Sequence, residues 1–353
     1  MVILNLTRSE FEVEIVNLGM PKFTARQILE WIYVKHVRSF DEMTNISVKN
    51  RQCLKEHFLL GLSDPVEERV SKDGTRKYLF KKIVELEDAV DANQQEMFFE
   101  TVLIPERDRA TLCVSSQVGC KMNCAFCATG KQGFQANLSV ADILNQVLTV
   151  DYLLKSDSSA ITNIVFMGQG EPLDNYTNVS AAITMLTADY GYAWSPKRIT
   201  VSTIGLKKNI KNFLQNETCH LAVSLHFPFH EQRLKYMPAE RQYSIGDLID
   251  ILRQYDFSHQ RRLSFEYIMF DGVNDDLVFA KELLKLLRGL ECRVNLIPFH
   301  KIPELDLSGT TLERMEHFRD YLTHHGLFAT IRRSRGEDIE AACGLLRKIV
   351  CDK

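Results

Sequence analysis

The sequence predicts an α/β fold, a partial TIM-like (β/α)6 barrel preceded by a small N-terminal helical and β accessory domain. Two observations carry this. From about Met97 onward, short apolar runs alternate with longer amphipathic stretches, the pattern of parallel strands joined by crossover helices. The polar and reactive residues cluster just after those runs, where barrels of this type keep their chemistry.

The first 60 residues read as short helices. Thr7 with Glu10, and Thr24 with Gln27, have capping-box spacing, and Gly19-Met20-Pro21 breaks the chain between them. In EERVSKDGTRKYLF the Asp73-Gly74 pair sits between β-rich runs and predicts a hairpin, so a small sheet is expected after the helices. The boundary is placed between Ala89 and Glu96, giving an accessory module over 1–92 and a core over 93–353. Strands are expected at 111–117, 161–167, 198–203, 220–225, 262–270, 292–298 and 328–333.

A formal net charge of -3 over 353 residues argues against a globally basic, polyanion-binding surface. Any RNA contact must be local. The candidate patches are Arg76, Lys77, Lys81 and Lys82 near the hairpin, and Arg332, Arg333 and Arg335 near the C-terminus. No run approaches the roughly 18 apolar residues of a membrane span, and the opening MVILNLTRSE turns charged too early for a secretory leader. The expectation is a cytoplasmic protein, not membrane-bound, and, with no heptad pattern, a monomer. Three of nine cysteines fall within residues 120–127, which points to metal or redox chemistry rather than a disulfide framework.

In GCKMNCAFCATG, Cys120, Cys124 and Cys127 stand in a C-x3-C-x2-C pattern. One loop can thereby offer three thiolates to one face of a 4Fe-4S cluster and leave one iron open. A zinc knuckle that borrows a distant fourth ligand is the competing reading. With Phe126 ahead of the last cysteine, the motif resembles the radical S-adenosylmethionine superfamily. That resemblance implies a radical SAM barrel, a cluster whose open iron binds S-adenosylmethionine, and a 5′-deoxyadenosyl radical. The strand ends fit it: FMGQGEP offers Gly170 for close backbone approach and Glu171 for the cosubstrate ammonium group. Ser202, the Ser224-Leu225-His226 triplet and Asn295 are candidates to bind its ribose, adenine and carboxylate. Taken singly, each also reads as a cap, turn or packing residue.

A narrower resemblance spans nearly the whole chain. FDEMTNIS, ETVLIP, TLCVSSQVGCKMNCAFCATG, GEPLDNY, SPKRITVSTIG, LAVSLH, FEYIMFDGVND, VNLIPFH and GEDIEAACG are similar to the bacterial 23S ribosomal RNA adenine-C2 methyltransferase family, some members of which also methylate transfer RNA. The resemblance implies two S-adenosylmethionine molecules per turnover. Cys343 takes a methyl group from the first and becomes a covalent carrier; a radical made from the second activates that methyl for addition to the base. Cys113 then closes a disulfide with Cys343 as product leaves, and an external, thioredoxin-like reductant resets the pair. This demands that the two Cα atoms come within about 7 Å. Glu100 corresponds to the family's proton acceptor. Cys53, Cys219, Cys292 and Cys351 match no motif position and read as structural.

Gln169, Leu345 and the FPFHEQR stretch depart from the family pattern without touching a proposed ligand. A sister group methylates adenine C8 with the same five cysteines; it typically lacks the proline found here as Pro172, which leans toward C2. The C8 enzyme and a non-catalytic zinc or redox protein are the alternatives left open by the residues.

Overall fold

The structure is a computed structural model that describes residues 1–82, 96–155, 160–259, 261–302 and 305–346. The chain opens with helices Arg8–Asn17, Phe23–Tyr33 and Val48–His57. Thr7 forms the expected capping box: its hydroxyl accepts the Glu10 N–H, and the Glu10 carboxylate accepts the Thr7 N–H at 2.8 Å. The second box does not form. The helix starts at Phe23 after Pro21, whose carbonyl accepts the Thr24 N–H at 2.9 Å. Proline pre-sets the helical φ one turn early, so Thr24 lies inside the helix with its side chain buried.

The strands follow in chain order: β1 (Glu67–Val70), β2 (Arg76–Lys81), β3 (Phe98–Glu106), β4 (Arg109–Cys113), β5 (Gln117–Val118), β6 (Ala136–Asn137), β7 (Asn163–Phe166), β8 (Ile199–Thr203), β9 (His220–Ser224), β10 (Leu263–Met269), β11 (Arg293–Pro298) and β12 (Ala329–Ile331). Ten of them form one sheet in the order β1-β2-β3-β4-β7-β8-β9-β10-β11-β12. From β4 to β12 every neighbouring pair is parallel, so the seven strands expected from the sequence all appear in the wound α/β arrangement. β5 and β6 make a small ribbon of their own.

The hairpin turns at Asp73-Gly74 as expected, but its sheet is not separate. β2 pairs antiparallel with β3, and β3 with β4, so the hairpin extends the barrel sheet. The expected boundary between residues 89 and 96 falls almost wholly outside the described residues.

Helix Val140–Lys155 joins the N-terminal helices to the sheet. It is buried nearly all round, including Asp142, Asn145, Gln146 and Thr149. Polar groups so buried need partners, and the partners come from both sides. Asn145 Oδ1 accepts the Ser63 N–H at 2.9 Å, and Thr149 Oγ1 accepts from Arg38 at 2.6 Å. On the sheet side, Gln146 Oε1 accepts from Thr101 Oγ1 at 2.6 Å and from the Ser115 N–H at 2.8 Å, while its Nε2 donates to the Ser115 carbonyl at 3.0 Å. This amide fixes the chain just past the carboxyl end of β4. Replacing it in Gln146→Leu leaves a buried N–H and C=O without partners. A loss of about 2–4 kcal/mol is expected, to be read as a lower denaturant midpoint with unchanged slope.

Candidate active site

The cysteine loop hangs from the carboxyl end of β4 and is closed at its base by contact between glycines. Gly119 has φ +73°, and a Cβ there would stand 1.7 Å from the Gly133 carbonyl oxygen, so no other residue fits. The Cys120 N–H donates to that carbonyl at 3.2 Å. Further along, the Ala125 N–H donates to Tyr236 O at 2.8 Å, and the Phe126 ring packs edge-on to His226 at 5.0 Å and against Phe227 and Phe270. The loop is therefore held on its apolar side by the ends of β9 and β10 and by the end of helix His230–Tyr236.

Cys120, Cys124 and Cys127 are free thiols that feel one another electrostatically. Burial, together with the neighbouring thiols, pushes Cys120 up to about 12 and raises Cys124 further. Thiolates gathered in one loop call for cationic iron to offset their charge, which is the donor chemistry a 4Fe-4S cluster needs. Among the described residues no three His, Cys, Asp or Glu side chains gather tightly enough to hold a single metal ion; a cubane binds each thiolate at its own iron and asks for a wider triangle. The three cysteines fit the cluster and would hold it.

The strand-end candidates lie along the same rim. Gly170 has φ +97°, but the crowding that demands glycine comes from this chain itself, since a Cβ would meet the Gln117 side chain at 2.5 Å. Glu171 is buried. Its carboxylate accepts from Thr203 Oγ1 at 2.6 Å, the Ile204 N–H at 3.0 Å and the Leu173 N–H at 3.1 Å, and burial raises its pKa to about 7. Ser224, Glu266, Asn295 and Thr330 form one register row across β9 to β12, and alternation puts Ser202, two rungs earlier, on the same face. Leu225 is buried. His226 takes φ +54°, and its Nδ1 accepts the Ile268 N–H at 3.1 Å, so the neutral ring carries its proton on Nε2. Burial lowers this imidazole to about 3.

Asn295 donates to Glu266 Oε1 at 2.8 Å and accepts from Thr330 Oγ1 at 2.8 Å. Glu266 was not singled out in the sequence; the available sign was a carboxylate inside the otherwise apolar run FEYIMF. Its Oε2 lies 3.6 Å from Arg332 Nε. Arg332 thus differs from the freely solvated cation expected from its basic run: its side chain is 35% exposed and faces a buried carboxylate. Its guanidinium donates to Met167 Sδ at 3.4 Å and lies within electrostatic reach of Cys343 and Cys113. The backbone directs it there: its N–H donates to Leu296 O at 2.8 Å, continuing the β11–β12 ladder past Ile331.

Cys113 ends β4 and is buried in a small apolar cluster with Val102, Ala341 and Leu346, residues that flank Cys343 on either side. Burial pushes its thiol up to about 12, with Cys343 adding to the rise. Cys343 itself is exposed. Its segment is tied to the cysteine loop: the Ala128 N–H donates to Gly344 O at 2.8 Å, and Thr129 Oγ1 to Leu346 O at 2.6 Å. Glu100, on β3, is buried with its Oε1 3.0 Å from Lys77 Nζ. Lys77 is the second cation of the expected patches that turns inward. Cys53, Cys219 and Cys292 sit in helix Val48–His57, before β9 and before β11, and Cys351 lies outside the described residues.

Comparison with known proteins agrees with this geometry. Residues 1–60 match the ribosomal RNA large subunit methyltransferase N-terminal domain, and residues 114–284 match the radical SAM superfamily. A probable dual-specificity RNA methyltransferase RlmN from Phocaeicola vulgatus is 58% identical over 98% of this chain and 94% of its own length. The dual-specificity RNA methyltransferase RlmN of Campylobacter fetus is 43% identical over 95% of this chain and 96% of its own. The crystal structure of a radical SAM methyltransferase from Sphaerobacter thermophilus superposes with a TM-score of 0.90 at 39% identity, covering 98% of this chain and 99% of the other. With its cysteine loop, its wound sheet and these relatives along nearly its whole length, the chain belongs to the RlmN family of dual-specificity RNA methyltransferases within the radical SAM superfamily.

Proposed function

We propose that this protein methylates C2 of an adenosine in 23S ribosomal RNA, and of an adenosine in transfer RNA, by way of a cysteine carrier. One observation supports this reading above the rest: Cys113, Arg332 and the Cys343 segment converge beside the loop of Cys120, Cys124 and Cys127. A radical SAM RNA methyltransferase uses a 4Fe-4S cluster and S-adenosylmethionine, which together supply a 5′-deoxyadenosyl radical that the protein positions and shields.

The residues of this chain divide the remaining work. Adenine C2 is an electron-poor amidine carbon and does not attack a methyl sulfonium, so a cysteine nucleophile must take the methyl first. Desolvation at the site raises the Cys343 thiol and the Arg332 guanidinium opposes that rise, so Arg332 is the group that would ease its ionisation when the methyl is taken. Glu100 takes the C2 proton. Cys113 attacks the Cys343 sulfur as product leaves; its buried thiol stays protonated at rest, which holds that step back. A thioredoxin-class reductant reopens the disulfide. Gly170, Glu171, Ser202, Ser224, Leu225, His226 and Asn295 line the rim on which S-adenosylmethionine binds, and two molecules are consumed per turnover. The enzyme acts as a cytoplasmic monomer. Its opposite test is regiochemical: Pro172 follows the C2 pattern, and recovery of 8-methyladenosine instead of 2-methyladenosine overturns the C2 assignment.

Cys343→Ala is expected to keep the brown cluster chromophore, carry no methyl group on the peptide around residue 343 and give no product; 2-methyladenosine from this variant removes the carrier role. For Glu100→Gln, single-turnover kinetics should show methylated Cys343 retained and product formation slowed by about 10²–10⁴-fold. In Arg332→Gln, methyl loading of Cys343, followed by mass spectrometry, is expected to slow about tenfold or more, since a charge-assisted contact to the thiolate is lost.

A further inference from the structure

The segment that bears Cys343 leaves the sheet after β12 and is held downstream by the cysteine loop. Upstream it is held by the β1–β2 hairpin, more than 260 residues away in sequence. At the hairpin tip, Ser71 Oγ donates to Asp338 Oδ1 at 2.5 Å, and the Lys72 N–H to Asp338 Oδ2 at 3.2 Å. In return, the Gly336 N–H donates to Asp73 Oδ2 at 3.0 Å. Gly336 has φ +64°, and a Cβ there would stand 2.8 Å from both Thr75 Cγ2 and Ala341 Cβ, so the hairpin packs against the segment with no room for a side chain at this position.

Deeper in the hairpin, one ammonium group joins two parts of the site. Lys77 is buried; its Nζ lies 3.0 Å from Glu100 Oε1 and donates to the backbone carbonyl of Glu340 at 3.3 Å. Neutralising Glu100 alone would not require the second contact. A carbonyl three residues before Cys343 is a positional constraint, not a charge partner.

We propose that Lys77 is a positioning residue that holds Glu100 and the Cys343 segment at a fixed separation, with the Ser71–Asp73 turn as the second anchor of the same latch. The assignment rests on the reading of Glu100 as base and Cys343 as carrier. It makes the hairpin, and not only the barrel, responsible for where the carrier sits.

The test uses full-length, anaerobically purified holoenzyme. Hydrogen exchange is read on the peptide spanning residues 336–343, together with kcat and KM for RNA, in Lys77→Met, Lys77→Arg and Asp338→Asn. Asp338→Asn leaves the Lys77–Glu100 pair intact, so it serves if Lys77→Met fails to fold. Both Asp338→Asn and Lys77→Met are expected to speed exchange of the segment about tenfold. In Lys77→Met, kcat should fall about tenfold or more with KM for RNA unchanged, because misplacement by about an ångström is enough for such a loss; Lys77→Arg, which keeps the donors, should recover part of it. Unchanged exchange in Asp338→Asn, with Lys77→Arg no better than Lys77→Met, overturns the latch whatever Cys343 carries. Faster exchange in the variants, with Cys343 of the parent protein found unmethylated, supports the latch and counts against the carrier reading.

Discussion

Two hydrogen bonds, from the Ala128 N–H to Gly344 O and from Thr129 Oγ1 to Leu346 O, fix the C-terminal segment against the helix that leaves the cysteine loop. The hairpin and the small cluster around Cys113 hold this segment upstream, and these two bonds set its relation to the cysteine loop. With them, a residue more than 200 positions away in sequence is held on the cluster's side of the barrel mouth. The cost of ordering these residues is offset by burying Ala341, Ala342 and Leu346, by the small cluster around Cys113, and by the contacts at the hairpin.

Electrostatics at this mouth are organised by a carboxylate. Glu266 stands in the middle of the sheet, buried, and one oxygen is committed to Asn295 and Ser264. The other faces Arg332. A carboxylate this buried favours keeping a cation beside it, so Arg332, although 35% exposed, stays directed at Glu266. That cation lies within electrostatic reach of two thiols, Cys343 and Cys113. Desolvation raises both thiols, Cys113 to about 12, and the Arg332 guanidinium opposes the rise at each.

What was legible in the sequence was mainly local. The C-x3-C-x2-C loop, the seven parallel strands, the Thr7 capping box and the Asp73-Gly74 turn depend on neighbours within a few residues, and each appears in the structure. The Thr24 box failed because Pro21 started the helix earlier. Lys77 and Arg332 were misread for a different reason. Clustered charges ordinarily mark a solvated face, whereas these two are drawn inward by Glu100 and Glu266, carboxylates on strands that pack beside them only after folding. Glu266 was hidden within an apolar strand, and nothing in the spacing of Ser224, Asn295 and Thr330 announces that they share a rung with it. The separate accessory sheet was an error of the same kind, since the pairing of β2 with β3 is not encoded near either strand.

The inward turn of these cations bears on how a protein of net charge -3 holds RNA. Lys77 and Arg332 are spoken for, and removing either from its carboxylate would strand a buried charge. The outer cations are also paired: Lys55 with Asp41, Arg38 with Asp64 and Lys81 with Glu96. These pairs differ from the inner ones in exposure, and exposed ion pairs contribute little to stability and exchange readily. Arg38, Lys55, Lys81 and Lys82 line one groove between the N-terminal helices and the hairpin; phosphates entering there would replace the exposed carboxylates beside Lys55 and Lys81 at small cost, whereas Lys82 is held by the buried Asp142. Grip on RNA backbone can thus be gained at the accessory module without disturbing the buried charges at the reaction centre. The groove lies at the open end of the hairpin, beside Val66, Lys81 and Lys82, whereas the contacts to Gly336 and Asp338 lie at its turn, so the two regions use opposite ends of the same strands.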